Sequence, residues 1–194
     1  NCTPSAFYPL IDGAGPRFKK LASLKHVFLG GEPISLARLR EWTSTAHFNG
    51  EIVNTYGPTE CTDTCSSFRL IDPENSTSAP PIGKPNDNAE LLILDEHLNL
   101  LPQGVAGELC VGGIGVGRGY LNDSLSTAER FVPHPYSSVP GARLYRTGDL
   151  ARHLPDGNIE FLGRFDHQVK VAGYRIELGE VETVMVQHQG VKEC

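Results

Sequence analysis

The sequence predicts an α/β plus β fold: a parallel α/β unit, then a β-barrel-like subdomain, then the start of a small α+β domain. Two short apolar runs, residues 25–29 and 52–56, each followed by glycine, flank a helical pattern and predict the first unit. From about Ser66 the chain consists of short apolar runs separated by Gly, Pro and Asn, which predicts the second. We therefore expect domains over residues 1–72, 73–165 and 166–194.

The first unit is predicted as a strand, a helix and a second strand. Ser35 can cap a helix in which apolar residues recur at helical spacing over residues 36–42, so the two flanking strands should be parallel. Ligands of parallel sheets bind beyond the carboxyl ends of the strands. This rule places residues 30–32 and 56–60 at the binding edge of the sheet.

The second subdomain is predicted from four apolar runs, at residues 66–71, 89–95, 107–113 and 143–148. A segment rich in Pro, Ser and Asn, residues 72–88, is interpreted as the linker that separates it from the first unit. Ser126 and Glu129 form a capping box for a short helix, and Pro-Asp-Gly at 155–157 predicts a turn between two strands.

The last segment begins after Asp166. Residues 167–171 alternate as in a strand, a glycine turn follows, and an apolar stripe from Leu178 to Met185 predicts an amphipathic helix. Because the chain starts with Asn1 and this helix leads into no closing structure, we expect an internal piece of a longer protein.

The composition is typical of soluble globular proteins, with 39% hydrophobic and 21% charged residues among 194. A formal net charge of −6 with interspersed signs favours neither nucleic acid nor a membrane surface as a partner. The sequence has no apolar run of about 20 residues and no signal peptide, so we expect a cytoplasmic protein. Five scattered cysteines predict small buried hydrophobes rather than disulfides or structural zinc.

Several common catalytic patterns are missing from the sequence. The glycine-rich run at 112–119 has no register that matches G-x-G-x-x-G, and Gly83-Lys84 has Ser78 where a P-loop needs its first glycine. Neither H-E-x-x-H nor G-x-S-x-G occurs. Dinucleotide-binding, P-loop, metalloprotease and serine hydrolase interpretations therefore lose their usual support.

Five segments, in order and over nearly the whole chain, match the motifs of one family. They are LGGEP at 29–33, NTYGPTE at 54–60, GELCVGG with GVGRGYL at 107–121, YRTGDL at 145–150, and GRFDHQVKVAGYRIELGEVE at 163–182. The series resembles the core motifs of adenylate-forming (AMP-binding) enzymes, and in its details the amino-acid-activating (adenylation) domains of nonribosomal peptide synthetases. Acyl-CoA ligases and luciferases share these motifs more distantly.

The resemblance implies an enzyme that uses ATP and Mg²⁺ to convert an amino acid into aminoacyl-AMP and pyrophosphate. The aminoacyl group then passes to the phosphopantetheine thiol of a peptidyl carrier protein domain, and a condensation domain belongs to the same synthetase. Charge handling dominates such chemistry. The family's upstream phosphate loop and C-terminal lysine find no match here, so we expect this piece alone not to catalyse adenylation.

By match to the family, Tyr56 should stack on adenine, with Asn54 and Gly31 along the edge of the base. Thr59 should contact a phosphate oxygen, and Glu60 should bind Mg²⁺, which prefers oxygen ligands. The structural alternative for this loop is a simple β turn.

Asp149 resembles the aspartate that accepts hydrogen bonds from both ribose hydroxyls, and Arg164 the arginine on the ribose and phosphate side. Phe161 matches an aromatic position that borders the nucleotide. An Asx turn, a surface ion pair and a place in the core are the respective alternatives. Asp166 corresponds to the hinge about which the small domain rotates between half-reactions. The predicted catalytic residues are Thr59, Glu60 and Arg164.

Two positions depart from the family pattern. Ala172 stands where an arginine is common, in the loop that the rotation brings toward the active site, which puts in doubt a charged contact with the carrier arm. Gly117 replaces the usual alanine of the glycine-rich motif.

Six residues match positions that line the side-chain pocket for the amino acid in this family: Asn1, Phe28, Gly30, Thr55, Asp63 and Thr64. A buried Asp63 would need a partner, either a polar or cationic substrate side chain or a protein group or water. Two rival functions stay open. One is an acyl- or aryl-CoA ligase of the same superfamily, and the other is a noncatalytic remnant that keeps the fold.

Overall fold

The computed structural model describes residues 1–14, 18–71, 73, 79–166, 168–171, 174–188 and 190–191. These residues form a four-stranded mixed sheet, a five-stranded antiparallel sheet and a two-stranded hairpin. The α/β unit followed by a β-rich subdomain, predicted from the sequence, is therefore present. The domain limits at residues 72 and 165 stay predictions.

The first sheet contains the predicted strand, helix and strand. Its elements are α1 (Pro4–Ala14), β1 (His26–Gly30), α2 (Leu36–Thr43) and β2 (Glu51–Tyr56). β1 and β2 are parallel, with Gly30 opposite Thr55, so both strands end at the same edge. The core beneath them is apolar, and Trp42 of α2 is fully buried with its ring centroid 5.6 Å from that of Phe7 in α1.

Ser35 occupies the predicted N-cap position of α2, but its side chain makes no capping hydrogen bond. The backbone carbonyl of Ser35 instead accepts hydrogen bonds from the amides of Arg38 and Leu39 in the first turn of the helix. The Ser35 amide donates to the hydroxyl of Tyr8 at 2.6 Å, which ties the start of α2 to α1.

The run at residues 66–71 forms a strand as predicted, but in the first sheet rather than with the later strands. This strand, β3 (Ser66–Leu70), pairs antiparallel with β2, and β4 (Lys84–Pro85) pairs antiparallel with β3. β4 lies inside the segment predicted as a linker. The prediction failed here because composition marks turns, whereas strand partners are chosen by contacts distant in sequence.

The second sheet has the order β5, β6, β8, β7, with β9 paired to β8. Its strands are β5 (Ala89–Leu94), β6 (Gly107–Gly113), β7 (Phe131–Pro133), β8 (Arg143–His153) and β9 (Ile159–Arg164). Register shifts interrupt β6·β8 between Glu108 and Cys110, and β8·β9 between Leu150 and Ala151. Such irregularities bend and twist a sheet, which gives this one its curled, half-barrel form.

A short helix, α3 (Ser124–Arg130), precedes β7, and its cap differs from the prediction. Asp123 caps the helix by accepting a hydrogen bond from the Ser126 amide at 3.0 Å. Ser126 is therefore inside the first turn. Asp123 outcompetes it because its carboxylate stands before the first helical residue, where the free amides point.

The two sheets share backbone hydrogen bonds close to the predicted site. The Ile82 amide donates to the Ile159 carbonyl at 2.8 Å, and the Ile159 amide donates to the Gly83 carbonyl at 2.9 Å. The predicted turn at 155–157 precedes this contact, with the Gly157 amide donating to the Leu154 carbonyl. Both isoleucines are buried, so the junction belongs to the core of the second subdomain.

The C-terminal segment contains the predicted strand and helix. β10 (Val169–Val171) and β11 (Tyr174–Ile176) form a hairpin whose turn, with the departure at Ala172, lies outside the described residues. α4 (Leu178–Met185) follows, and Val184 on its apolar stripe is 66% exposed. Within the described part of the chain, every helix is too short or too polar to span a bilayer.

Cysteines 61, 65 and 110 are buried, as the composition predicted, and Cys2 is half-buried. Burial raises the pKa of the Cys110 thiol to about 12, so this thiol stays protonated near neutral pH. Cys194 lies outside the described residues.

Candidate active site

A cavity of about 330 Å³ opens where β1 and β2 end, and the second sheet closes its other side. This is the edge that strand topology predicts for ligands. The predicted residues that line it are Asn1, Gly30, Gly31, Thr55, Tyr56, Thr59, Asp63, Thr64, Asp149 and Arg164. Its size falls at the lower end of ordinary ligand pockets, which span roughly 300–1,000 Å³.

The floor of the cavity depends on Gly30. A Cβ at this position would lie 2.8 Å from the carbonyl oxygen of Thr55, so only glycine fits between the paired strands. Thr55 donates its hydroxyl to the Leu29 carbonyl at 3.2 Å, across the same pair. Gly31 follows with a φ of 82°, a left-handed conformation that turns the chain away and leaves the strand end open.

The N-terminal residues form one wall of the cavity. The Cys2 amide donates to the Phe28 carbonyl at 3.1 Å and the Gly30 amide donates to the Cys2 carbonyl at 3.3 Å, so residues 1–3 run beside β1. Asn1 reaches the cavity for this reason. Phe28 does not line it, and its side chain is 40% exposed on the face of the sheet beside His26.

Three side chains from both sheets meet across the cavity. The Tyr56 hydroxyl donates to one carboxylate oxygen of Asp149, and Arg164 donates from Nη1 to the other oxygen at 2.6 Å. Tyr56 is 9% exposed and Asp149 5% exposed. Burial, followed by the negative charge of Asp149, holds the pKa of the Tyr56 hydroxyl well above its usual value, so Tyr56 acts as a hydrogen-bond donor.

Arg164 joins this contact to the predicted hinge. Its Nε and Nη2 donate to the two carboxylate oxygens of Asp166, each at 2.6 Å, while Nη1 holds Asp149. Nη2 of Arg130 in α3 also lies 3.6 Å from Oδ2 of Asp166. The hydrogen bonds from Arg164 are the largest cause that lowers the pKa of Asp166, so this carboxylate is ionised at neutral pH. The surface ion pair proposed as an alternative for Arg164 does not describe it, since it lies between two carboxylates and is largely buried.

The loop after β2 is tightly closed. The Cys65 amide donates to the Tyr56 carbonyl at 2.7 Å, and a short 3₁₀ turn (Thr59–Cys61) lies within the loop. Thr62 and Asp63 have φ values of 63° and 71°, an uncommon left-handed pair for residues other than glycine. This geometry places Thr59 and Asp63 on the cavity, which a simple β turn would not do.

Glu60 points away from the cavity surface into the second subdomain. One oxygen of its carboxylate accepts a hydrogen bond from the Tyr120 hydroxyl at 2.7 Å, and that hydroxyl lies 3.2 Å from the hydroxyl of Tyr145. Burial is the largest cause that raises the pKa of Tyr145, followed by its hydrogen bond with Tyr120. Glu60 is therefore part of a buried hydrogen-bond network directly behind Thr59.

Asn54 and Phe161 stand at the margin of the site. Asn54 is buried, and its amide donates to the Pro81 carbonyl at 2.8 Å, which holds the chain just before β4 against β2. The Phe161 ring is 38% exposed and lies 6.4 Å from the ring of Tyr56, centroid to centroid, at an angle of 39°. Neither residue lines the cavity, so Phe161 flanks Tyr56 rather than joining the core.

Comparison with known proteins identifies the family to which the chain belongs. The sequence profile of the family described as AMP-binding enzyme matches residues 1–121. The chain belongs to the AMP-binding enzyme family. It is 47% identical over 173 residues to bacitracin synthase 3 of Bacillus licheniformis, an alignment that covers 89% of the chain and 3% of that protein. It is 45% identical over 193 residues to gramicidin S synthase 2 of Brevibacillus brevis, covering 99% of the chain and 4% of that protein.

Solved structures of adenylation domains have the same fold as this AMP-binding enzyme. One is a nonribosomal peptide synthetase protein with adenylation and PCP domains, bound to a vinylsulfonamide inhibitor, with a TM-score of 0.87 and 34% identity. The match covers 99% of this chain and 33% of that one. Another is the Vibrio cholerae adenylation domain AlmE in complex with glycyl-adenosine-5'-phosphate, with a TM-score of 0.80 and 31% identity over 99% of this chain and 36% of that one. The predicted resemblance and fold class are confirmed.

Glu60, the predicted Mg²⁺ ligand, does not line the cavity of this AMP-binding enzyme. Among the residues that the structure describes, no group of three or more His, Cys, Asp and Glu side chains is placed to hold a metal ion by itself. Mg²⁺ in phosphate-transfer sites needs only one or two carboxylates, because substrate phosphates and water complete its shell. The role of Glu60 as a Mg²⁺ ligand therefore stays a prediction from the family motif.

The residues that line the cavity without a predicted role include Tyr145, Thr147 and Gln168. Thr147 donates its hydroxyl to the Leu109 carbonyl at 2.6 Å and accepts a hydrogen bond from the Asp149 amide at 2.9 Å, so it orients Asp149. Strand periodicity could have found two of them. Tyr145, Thr147 and Asp149 alternate along β8, and alternate residues of a strand share one face.

Proposed function

We propose that this chain supplies the nucleotide-binding and part of the acyl-binding surface of an enzyme that activates an amino acid with ATP and loads it onto a carrier protein. The observation that carries the proposal is the contact of Tyr56, Asp149 and Arg164 across the cavity. It joins an aromatic ring, a two-oxygen acceptor and a fixed cation at the binding edge of a parallel strand pair. A nucleotide needs these three groups for its base, its ribose and its phosphate.

Each residue has a distinct role in the proposed site. The face of Tyr56, beside Phe161, stacks on adenine. Asp149 accepts hydrogen bonds from the ribose hydroxyls through its carboxylate, which offers two acceptor oxygens. Arg164 is an electrostatic stabiliser whose permanent charge opposes that of the phosphate oxygens. Gly31 lets the chain approach the base closely because it has no side chain.

The first half-reaction is a displacement at phosphorus. A carboxylate oxygen of the amino acid attacks the α-phosphorus of ATP, the new P–O bond forms, and the bond to the bridging oxygen of pyrophosphate breaks. Thr59 donates its hydroxyl to a phosphate oxygen. Glu60 is the residue that would hold Mg²⁺, and this ion supplies charge neutralisation for the phosphates when it is bound.

In the second half-reaction a phosphopantetheine thiol attacks the acyl carbon and AMP leaves. The partner is a peptidyl carrier protein, a proposal supported by the solved relative that combines adenylation and PCP domains. A condensation domain in the same protein is proposed from the similarity to bacitracin and gramicidin synthases. Asp166 is the proposed hinge between the half-reactions, since its backbone joins β9 to the C-terminal hairpin.

The amino-acid side chain is proposed to lie against the polar end of the cavity. Asn1, Gly30, Thr55, Asp63 and Thr64 supply this wall. Phe28 stays a predicted pocket position that does not line the cavity, because its ring lies beside that of His26. Asp63 is the only carboxylate among these residues, so an amino acid with a cationic or hydrogen-bonding side chain matches the wall best.

ATP–pyrophosphate exchange tests the proposal. The assay uses the parent domain, defined as this chain extended to the length of the adenylation domains that it resembles, with a panel of amino acids and with fatty and aryl acids as controls. We expect exchange stimulated by one or a few amino acids, and Asp149→Ala should raise the KM for ATP at least tenfold. Exchange stimulated only by fatty or aryl acids would assign the protein to the CoA-ligase branch. No exchange with any acid would support a noncatalytic remnant.

A further inference from the structure

Gln168 is a buried polar residue whose side chain is not satisfied within the protein. It is 6% exposed and lines the cavity. Among the residues that the structure describes, none forms a hydrogen bond with its side-chain oxygen, Oε1, which is shielded from solvent. Buried polar groups are nearly always paired, and an unpaired acceptor has lost its water without gaining a bond in exchange. A ligand that brings a hydrogen-bond donor into the cavity would satisfy this oxygen.

The backbone of Gln168 is tied to the residues that contact the nucleotide aspartate. Its amide donates to Oδ1 of Asp166 at 3.2 Å, and the same oxygen accepts a hydrogen bond from Nε of Arg164 at 2.6 Å. Arg164 in turn donates from Nη1 to Asp149 at 2.6 Å. A continuous chain of contacts therefore connects Gln168 to Asp149, and all but Asp166 in this chain line the cavity.

The position of Gln168 indicates which part of a nucleotide would supply the donor. Phosphate oxygens are acceptors and cannot pair with an amide oxygen. The base is assigned to the face of Tyr56, and the amino acid to the wall that contains Asn1 and Asp63. The ribose remains, since it is assigned to Asp149, at the other end of the contact chain from Gln168. Each ribose hydroxyl has one O–H group to donate.

From this geometry we infer that Gln168 accepts a hydrogen bond from a ribose hydroxyl of the bound nucleotide and helps the site to select ribonucleotides over deoxyribonucleotides. The inference rests on the proposed function for the identity of the ligand. A site with a buried group placed for a substrate hydroxyl discriminates against the analogue that lacks it, because the group then stays unpaired. The competing view is that the amide only fills space beside Asp166, which would affect stability and not nucleotide binding.

The test measures the binding of AMP, 2′-deoxy-AMP and 3′-deoxy-AMP to the parent domain by isothermal titration calorimetry, so the readout does not depend on turnover. Gln168→Leu removes the acceptor and keeps a side chain of similar volume. We expect this variant to bind AMP about three- to tenfold more weakly than the wild type, as for the loss of one uncharged hydrogen bond. For one of the deoxynucleotides the two proteins should have equal affinity, because the bond is already absent.

Gln103→Leu is the matched control. Gln103 has the same amide but does not line the cavity, and its Nε2 donates to the Leu154 carbonyl at 2.6 Å. Its substitution should leave the affinity for all three nucleotides unchanged.

The melting temperature of the ligand-free domain separates a binding role from a structural one. Gln168→Leu should not lower it, because leucine replaces an acceptor that the described part of the protein leaves unpaired. A lower melting temperature together with unchanged affinity for AMP would support the structural view and overturn the inference.

Two other results would also overturn it. One is no binding of AMP by the wild type. The other is an equal loss of affinity for AMP and for both deoxynucleotides in Gln168→Leu, since the residue would then act on another part of the nucleotide. If Gln168→Leu does not fold, Gln168→Met also removes the amide, keeps the length of the side chain and is judged by the same comparison.

The two proposals can fail separately. If the wild-type domain shows no exchange with any acid, but Gln168→Leu loses affinity for AMP and not for one deoxynucleotide, the proposed reaction is wrong and the ribose contact stands. If exchange is amino-acid-dependent and the affinities of Gln168→Leu equal those of the wild type, the reaction stands and the ribose contact is wrong.

Discussion

Replacing Arg164 with lysine tests whether one guanidinium holds both the nucleotide aspartate and the hinge. In the native protein Arg164 makes three hydrogen bonds of 2.6 Å, one to Asp149 and two to Asp166, from opposite edges of its fork. Lysine keeps the charge but offers a single compact ammonium, which can serve only one of the carboxylates well. Arg164→Lys should therefore leave either the buried Asp149 or the hinge carboxylate poorly paired.

The expected loss of stability follows from the exposure of the two pairs. Hydrogen bonds to charged groups contribute about 1.5–3 kcal/mol each. The Asp149 side chain is 7% exposed, so its contact counts nearly in full, whereas the Asp166 side chain is 33% exposed and its contacts are partly screened. With one contact retained by the ammonium, we expect the free energy of unfolding to fall by about 2–3 kcal/mol. The melting temperature should fall by roughly 4–12 °C for a chain of this size.

Urea denaturation of the wild type and of two variants measures the effect. Arg152→Lys is the matched control, because Arg152 also joins β8 to β9 through a carboxylate, Glu160, at 2.6 Å, but with side chains 43% and 35% exposed. The free energy of unfolding of Arg152→Lys should be lower than that of the wild type by no more than about 0.5 kcal/mol. Equal losses in the two variants, or a loss below this value in Arg164→Lys, would show that the fork does not join the two aspartates energetically.

The same contact predicts a dependence of stability on pH. The hydrogen bonds and charge of Arg164 lower the pKa of Asp166 in the folded state. A carboxyl with a depressed folded-state pKa stabilises the protein above its unfolded pKa, and this contribution is lost as pH falls through the folded value. Unfolding free energy should therefore decrease in acid below about pH 4, and less steeply in Arg164→Lys. An equal decrease of the unfolding free energy in acid for the wild type and for Arg164→Lys would contradict this.

Two further substitutions test the local structure. Gly30→Ala should destabilise the protein by about 1–3 kcal/mol, because its Cβ would lie 2.8 Å from the Thr55 carbonyl, whereas Gly13→Ala, with nothing within 4 Å, should stabilise α1 slightly; thermal unfolding that gave both the same sign would refute the packing argument. Asp123→Ala should lower the melting temperature more than Ser126→Ala does, because Asp123 supplies the cap of α3. A larger loss for Ser126→Ala than for Asp123→Ala would instead support the capping box predicted from the sequence.

Local patterns predicted the first unit well, and the reason is geometric. The apolar runs, their terminal glycines and the helical spacing between them all act over a few residues, so β1, α2 and β2 could be recognised directly. The partner of β3 could not, since its pairing with β2 depends on how a loop returns the chain. The register of an antiparallel neighbour is set by that loop and by burial, and neither is visible in a strand's own composition.

The candidate site also contains residues that the sequence motifs located and contacts that the sequence could not predict. Family motifs located Tyr56 and Asp149, and the structure brings them into contact across 93 residues of sequence. Asn54 illustrates the opposite outcome, because every residue of β2 from Ile52 onward is buried and the strand offers no alternation to separate structural from ligand-facing residues. The contact between Glu60 and Tyr120 was also beyond sequence reasoning. It joins two motifs whose proximity only the folded chain reveals.

The paired backbone hydrogen bonds between Gly83, Ile82 and Ile159 have a mechanical consequence for the whole molecule. The two sheets cannot separate without breaking these bonds inside a buried, apolar junction, and the cavity between the sheets would open in the same event. Under a stretching force along the chain, residues 26–164 should yield in one rupture instead of two successive ones. The distance between the walls that face the ligand is thus held by backbone hydrogen bonds in the core as well as by the loops around the cavity.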